Sequence, residues 1–127
     1  MTRTHISSGA AFEDRVGYSR AVRVGDHIWV SGTAPIMPGD ADPPSDPYGQ
    51  ARRCLEIVEA ALRDAGGGLE HVVRTRLLMT DASYTPEILR AHAEAFGSVR
   101  PACTGIVVGL LDPRWLVEIE VDAVLPE

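Results

Sequence analysis

Apolar and polar positions repeat with two different periods along this chain, and each change of period marks an element. Residues 19–32, "SRAVRVGDHIWVSG", hold two β-rich runs on either side of Gly25-Asp26, which predicts a hairpin. Residues 33–47 are dense in Pro, Gly and Asp and predict a loop. Asp46 followed by Pro47 has the chemistry of an N-cap and a first helical residue. Behind it Ala51, Cys54, Leu55, Val58, Ala61 and Leu62 recur at three-to-four spacing, a single apolar stripe. Arg52 with Glu56 and Glu59 with Arg63 are spaced as solvent-side pairs, and the glycines at 66–68 end the helix. Because they close a helix rather than open one, those glycines are not a phosphate loop.

Residues 72–80, "VVRTRLLMT", predict a strand partly apolar on both faces. Thr85-Pro86-Glu87 starts a second helix, with Ile88, Leu89, His92 and Phe96 along one side. Two further strands follow, 103–111 and 116–124, joined at Asp112-Pro113. The expected order is β-β-α-β-α-β-β: an α+β layout in which one mixed sheet carries two helices on one face. One domain spans residues 1–127, with no repeat or linker. Two helices cover only one face of such a sheet, while "GIVVGLL" is apolar on both. The uncovered face then needs a second copy of the chain against it, so a homo-oligomer is expected.

Composition narrows the chemistry. The net charge is −6, which argues against nucleic acid as a partner. No stretch reaches the roughly 18–20 apolar residues of a membrane span, and "MTRTHISSGAAFED" has no apolar signal-peptide core, so a cytoplasmic protein without membrane contact is expected. Cys54 and Cys103 are too few for a disulfide framework. His5, His27, His71 and His92 are scattered singly, which disfavours a zinc site. The chain has neither lysine nor asparagine, which excludes Schiff-base chemistry through a lysine. Polar catalysis falls to acids, arginines, hydroxyls, thiols, histidines, the backbone or the single Gln50.

The last strand sets Val117, Ile119, Val121 and Ala123 on one face and Glu118, Glu120 and Asp122 on the other. These acids are either solvated, or one is drawn into a cleft where burial raises its pKa and suits it to activate water. Arg74 and Arg76 alternate on a strand nearby and suit cross-strand pairing. Ser31 and Gly32 form a strand-to-loop transition without a nucleophile-elbow pattern. His27 and Trp29 share a strand face, where core packing is the default. Tyr18 either lines a cleft or covers an edge. Cys103 lacks the sequence neighbours of a reactive thiol and suits an inert small side chain at a strand start.

Together, "GYSRAVRVGDHIWVSGTAPI", "LRDAGGGLEHVVRTRLLMTD", "RPACTGIVVGLL" and "LVEIEVDA" resemble the RidA/YjgF (Rid) family, in order and over nearly the whole chain. The resemblance implies a chorismate-mutase-like α+β fold and a homotrimer with small-molecule clefts between subunits. It also implies cofactor-free hydrolysis of enamine or imine intermediates, such as 2-aminoacrylate, to 2-keto acids and ammonia. In the deaminases an arginine follows the "PA" of this motif and grips the substrate carboxylate; here that position is Cys103, followed by Thr104. Two residues after it many members have a cysteine, here Gly105. Glu118 matches the water-orienting acid, Ser31, Gly32 and Tyr18 match cleft positions, and Arg90, within one residue, stands where some deaminases have asparagine. A charge-assisted contact is worth about 1.5–3 kcal/mol, so the ordinary 2-imino acids lose their anchor unless Arg100 or Arg20 replaces it. The resemblance therefore implies a hydrolase for another imine, enamine or related C–N compound, the alternative being a non-catalytic ligand-binding or regulatory protein.

Overall fold

A computed structural model describes residues 2–127. Six strands form one mixed sheet: β1 (Arg3–Ile6), β2 (Ala21–Val24), β3 (His27–Thr33), β4 (Val72–Met79), β5 (Ala102–Val107) and β6 (Val117–Val124). Their spatial order is β1-β2-β3-β6-β4-β5. Three helices accompany them, α1 (Ala11–Val16), α2 (Pro47–Asp64) and α3 (Thr85–Phe96). The α+β class and the hairpin at Gly25-Asp26 hold. Strand β1 and the short α1 lie ahead of the first element that periodicity marks. Four residues in β1 and six in α1 are too few to establish a period, and β1 gains its order from pairing with β2.

Helix α2 begins as its cap chemistry predicts, with the Asp46 carboxylate accepting from the Gly49 amide at 2.9 Å. All six stripe residues are buried. The helix ends where Gly66, at φ +95°, takes the left-handed turn that favours glycine. Arg63 pairs with Glu59 at 3.1 Å as expected, but Arg52 reaches across to Glu94 on α3 at 3.5 Å rather than to Glu56. Gln50 is a structural staple: its amide donates to the carbonyls of Pro44 (2.8 Å) and Arg114 (2.9 Å) and accepts from the Leu116 amide (2.8 Å). It ties the start of α2 to the segment entering β6.

Helices α2 and α3 pack together on one face of the sheet, with Leu77, Met79, Ile119 and Val121 beneath them in the core. The other face is open. Its centre is polar, in contrast to the expected apolar patch: Arg76 pairs with Glu120 at 3.1 Å and lies 3.7 Å from Asp122. His27 and Trp29 stack there with ring centroids 5.7 Å apart, and Trp29 is 45% exposed, so neither is core. Apolar surface gathers instead along β5, which is exposed throughout and ends at Val107 rather than running on to residue 111. It pairs parallel with β4, not with β6, and forms the sheet edge.

Candidate functional site

Two irregularities interrupt the sheet, and the first builds the site. Between Val30↔Val121 and Thr33↔Ile119 the β3–β6 register slips by one residue, so Ser31 and Gly32 together oppose Glu120. The second slip, at Val73, lets Val73 and Arg74 both reach solvent. At the first bulge Gly32 turns toward Glu118, where a β-carbon would lie 3.0 Å from Glu118 Oε1. A side chain at residue 32 would press on this carboxylate and shift it.

Arg20 joins the remaining parts. It is only 7% exposed, its guanidinium donates to the Gly32 carbonyl at 2.6 Å, and it lies over the Tyr18 ring at 5.6 Å. Its Nε has no hydrogen-bond partner among the described residues. Ser31 takes the amide partner it needs from the Arg20 carbonyl, and its hydroxyl donates to Ser19 O at 2.8 Å. On the far side of Arg20 sits Glu13, a buried acid in α1. Burial works to raise its carboxyl, but hydrogen bonds from Ser8 and Ser7 and the charge of Arg20 bring it below the usual range. Glu13 had no visible sequence signal, because α1 is too short to show which side is inward.

Glu118 behaves oppositely. Half-burial pushes its carboxyl above the ordinary value, the neighbouring Glu120 adds to this, and Arg20 partly opposes it. The site thus holds a carboxylate whose proton affinity is shifted toward that of a general base. Tyr18, Ser31, Gly32 and Glu118 therefore come together, with Arg20 as the buried hub.

The positions on β5 face differently. Cys103 stands in register with Thr75, which is buried beneath the helices, and Thr104 with Arg76 on the open face. Glu118 opposes Leu78, which stands beside Ile106, on that same open face. Cys103 and Glu118 thus project from opposite sides of the sheet, with β4 between their strands. One chain cannot place both against one small molecule. A histidine does approach the Cys103 row: His92 on α3 bonds Thr75 Oγ1 through Nε2 at 2.8 Å and packs against Phe96. Burial holds this imidazole below its ordinary pKa. Cys103 itself is exposed, whereas Cys54 is buried and its thiol is pushed far up by desolvation.

Arg90 does not join either group. Its guanidinium lies 3.9 Å from the centre of the Tyr48 ring, on the outer side of the helix pair. Its neighbour Leu89 lines the cleft under β5 instead, within the one-residue latitude of the sequence match. No helix among the described residues is long and apolar enough to cross a membrane.

Comparison with known proteins agrees with this architecture. The family model described as Endoribonuclease L-PSP matches residues 8–125. A Mycobacterium tuberculosis structure, described as a member of the YjgF/YER057c/UK114 family, superimposes with a TM-score of 0.88 at 46% identity, covering 98% of this chain and 100% of that one. An uncharacterised Streptomyces coelicolor protein is 37% identical over 93% of this chain and 89% of its own length. The 3-aminoacrylate deaminase RutC of Acinetobacter baylyi is 33% identical over 80% of this chain and 82% of its own. With a family model spanning nearly all of it, and a fold and relatives that agree, the chain belongs to the Rid family, the YjgF/UK114 or endoribonuclease L-PSP family.

Proposed function

We propose that this chain is a cofactor-independent hydrolase of imines, enamines or related C–N compounds, working in clefts between the subunits of a cytoplasmic homotrimer. The observation that carries this reading is Glu118: a half-buried carboxylate, raised above its usual range, facing Gly32 at a bulge on the open sheet face. In the step, Glu118 takes a proton from water as the oxygen adds to the C=N carbon. The nitrogen gains that proton, and the tetrahedral intermediate then collapses: its hydroxyl proton passes to nitrogen through Glu118, the C–N bond breaks, and a carbonyl compound and an amine or ammonia leave. An enamine first takes a proton at its β-carbon and gives one up from nitrogen to water, becoming the imine. The relative named a 3-aminoacrylate deaminase supports this reaction class. The net charge of −6 speaks against RNA, despite the family's name.

Two features support assembly. Strand β5 is a fully exposed edge, with Val107 54% and nearby Leu111 89% exposed, and natural proteins cover such edges. Cys103 and Glu118 also face opposite ways, so a ligand touching both takes them from two subunits. Sedimentation at increasing dilution checks this; a concentration-independent monomer would overturn it.

For the reaction, 2-iminobutyrate and 2-aminoacrylate are generated in situ by a dehydratase, and ammonia and keto-acid release are followed. Wild type is expected to turn over slowly and Cys103→Arg to gain at least about tenfold, the worth of one charge-assisted contact. Glu118→Gln in the Cys103→Arg background should remove that gain. An inactive Cys103→Arg variant, or one indifferent to Glu118→Gln, counts against the hydrolase. A fully active wild type would show that Cys103 is no obstacle, with Arg100, exposed just ahead of Pro101, then the arginine to test.

A further inference from the structure

Between β5 and the first turns of α3 lies a cleft of about 240 Å³, walled by Met79, Thr85, Leu89, Gly105, Ile106 and Val107. None of the six bears a charge. The one hydroxyl, on Thr85, already donates to the Ala82 carbonyl at 2.7 Å. Gly105 keeps the cleft open: a β-carbon there would meet Met79 Cε at an ordinary 3.7 Å, so crowding does not require the glycine and the space is left for something else. Gly105 stands in register with Leu77, on the same side of β5 as Cys103.

No cation is among these walls: Arg74, in register with Ala102, and Arg100 stand toward the opposite end of β5 from Val107, and the others are engaged elsewhere. Arg76 is on the other face, paired with Glu120. Arg90, adjacent to Leu89, lies on Tyr48. Arg20 is bound to the Gly32 carbonyl beyond β6. His92, beneath the Cys103 row, is bonded to Thr75 at 2.8 Å, and burial holds its imidazole below the ordinary pKa. A carboxylate placed against these walls gives up water without gaining a counter-charge from them. An apolar group gains by leaving water for the same walls.

We propose that this cleft receives the side group of the substrate and that the group is uncharged and apolar, making the chain selective for neutral imines or enamines over 2-imino acids. The reaction class rests on the hydrolase reading above; the binding preference does not.

The test is therefore a binding experiment with a matched pair, isobutyramide and isobutyrate, followed by backbone amide shifts in the wild-type chain at neutral pH. Isobutyramide should shift the amides of Leu89, Gly105 and Ile106 and bind at least about tenfold more tightly than isobutyrate. Gly105→Val should weaken it by a similar factor. Leu89→Arg, at a position 45% exposed and so tolerant of the change, should move the preference toward isobutyrate. Equal or tighter binding of isobutyrate overturns the proposal, as does binding away from these amides. So does indifference to both variants, or saturable binding of neither probe. If the neutral preference holds and no C–N substrate turns over, the hydrolase reading falls alone. If 2-iminobutyrate turns over and the preference is absent, this inference falls alone.

Discussion

Leu77 and Arg76 are consecutive residues of β4, yet they belong to two different materials. Leu77 is fully buried against the helices, among Val117, Ile119 and Val121. Arg76 looks out from the other face, about a third exposed, and shares its charge with Glu120 and Asp122. The closed face holds the fold together by burial, and its buried polar side chains include Thr75, bonded to His92, and Gln50, bonded to three backbone groups. The open face carries charge in intermediate burial, wet enough to tolerate a carboxylate and dry enough to shift one. A core position would make an ionised Glu118 prohibitively costly, and a fully solvated one would leave it an ordinary surface acid. The half-buried face between them is where acid–base chemistry fits.

That contrast has measurable consequences. The largest is Leu77→Ala, expected to cost about 2–5 kcal/mol of stability through lost burial and an unfilled cavity, read from urea unfolding. A loss under 1 kcal/mol would mean the closed face collapses easily and is less tightly packed than it looks. One residue away, Arg76→Ala should cost only about 0.2–1 kcal/mol, because its partly exposed pairs are screened by solvent and salt. A loss as large as that of Leu77→Ala would show that the open face is buried in the assembly, which sharpens the comparison into one between subunit core and interface.

The smallest expected effect has the opposite sign. Because burial raises the Glu118 carboxyl, the folded chain keeps its proton over a range just above the ordinary glutamate value where the unfolded chain has released it. Stability contributed by that proton is present below the ordinary value, about 4.3, and is lost as pH rises through the folded-state value. Glu118→Gln should therefore raise the melting temperature at pH 7.5, with the difference closing as pH falls below about 4.3. A lower melting temperature for Glu118→Gln at neutral pH would mean that Arg20, not burial, governs this acid.

Much of the fold was legible because it is written in local periods and caps. Asp46-Pro47 and the six-residue stripe locate α2, and alternation in "VEIEVDAV" locates β6 and singles out Glu118. Strand β1 and helix α1 escaped because they are shorter than a readable period. Trp29 and His27 were misplaced because alternation says which residues share a face, not which face the helices cover. Arg52 took Glu94 instead of Glu56 because packing of α3 beside α2 offered another partner. Glu13 carried no signal, and Arg20 was legible only as a candidate stand-in arginine, not as a buried hub, since a buried charge is recognised only from what surrounds it.

The sequence by itself determined the types of the longer elements, the apolar and acidic sides of β6, the family and the unusual cysteine at residue 103, because these show as local patterns and motifs along the chain. The tertiary structure alone decided that β6 lies between β3 and β4, that β5 is a parallel edge, and that a one-residue bulge turns Gly32 toward Glu118. It also decided that Cys103 and Glu118 point apart. Strand order and register arise from contacts between residues distant in sequence, and a shift of one residue changes which side chain meets which.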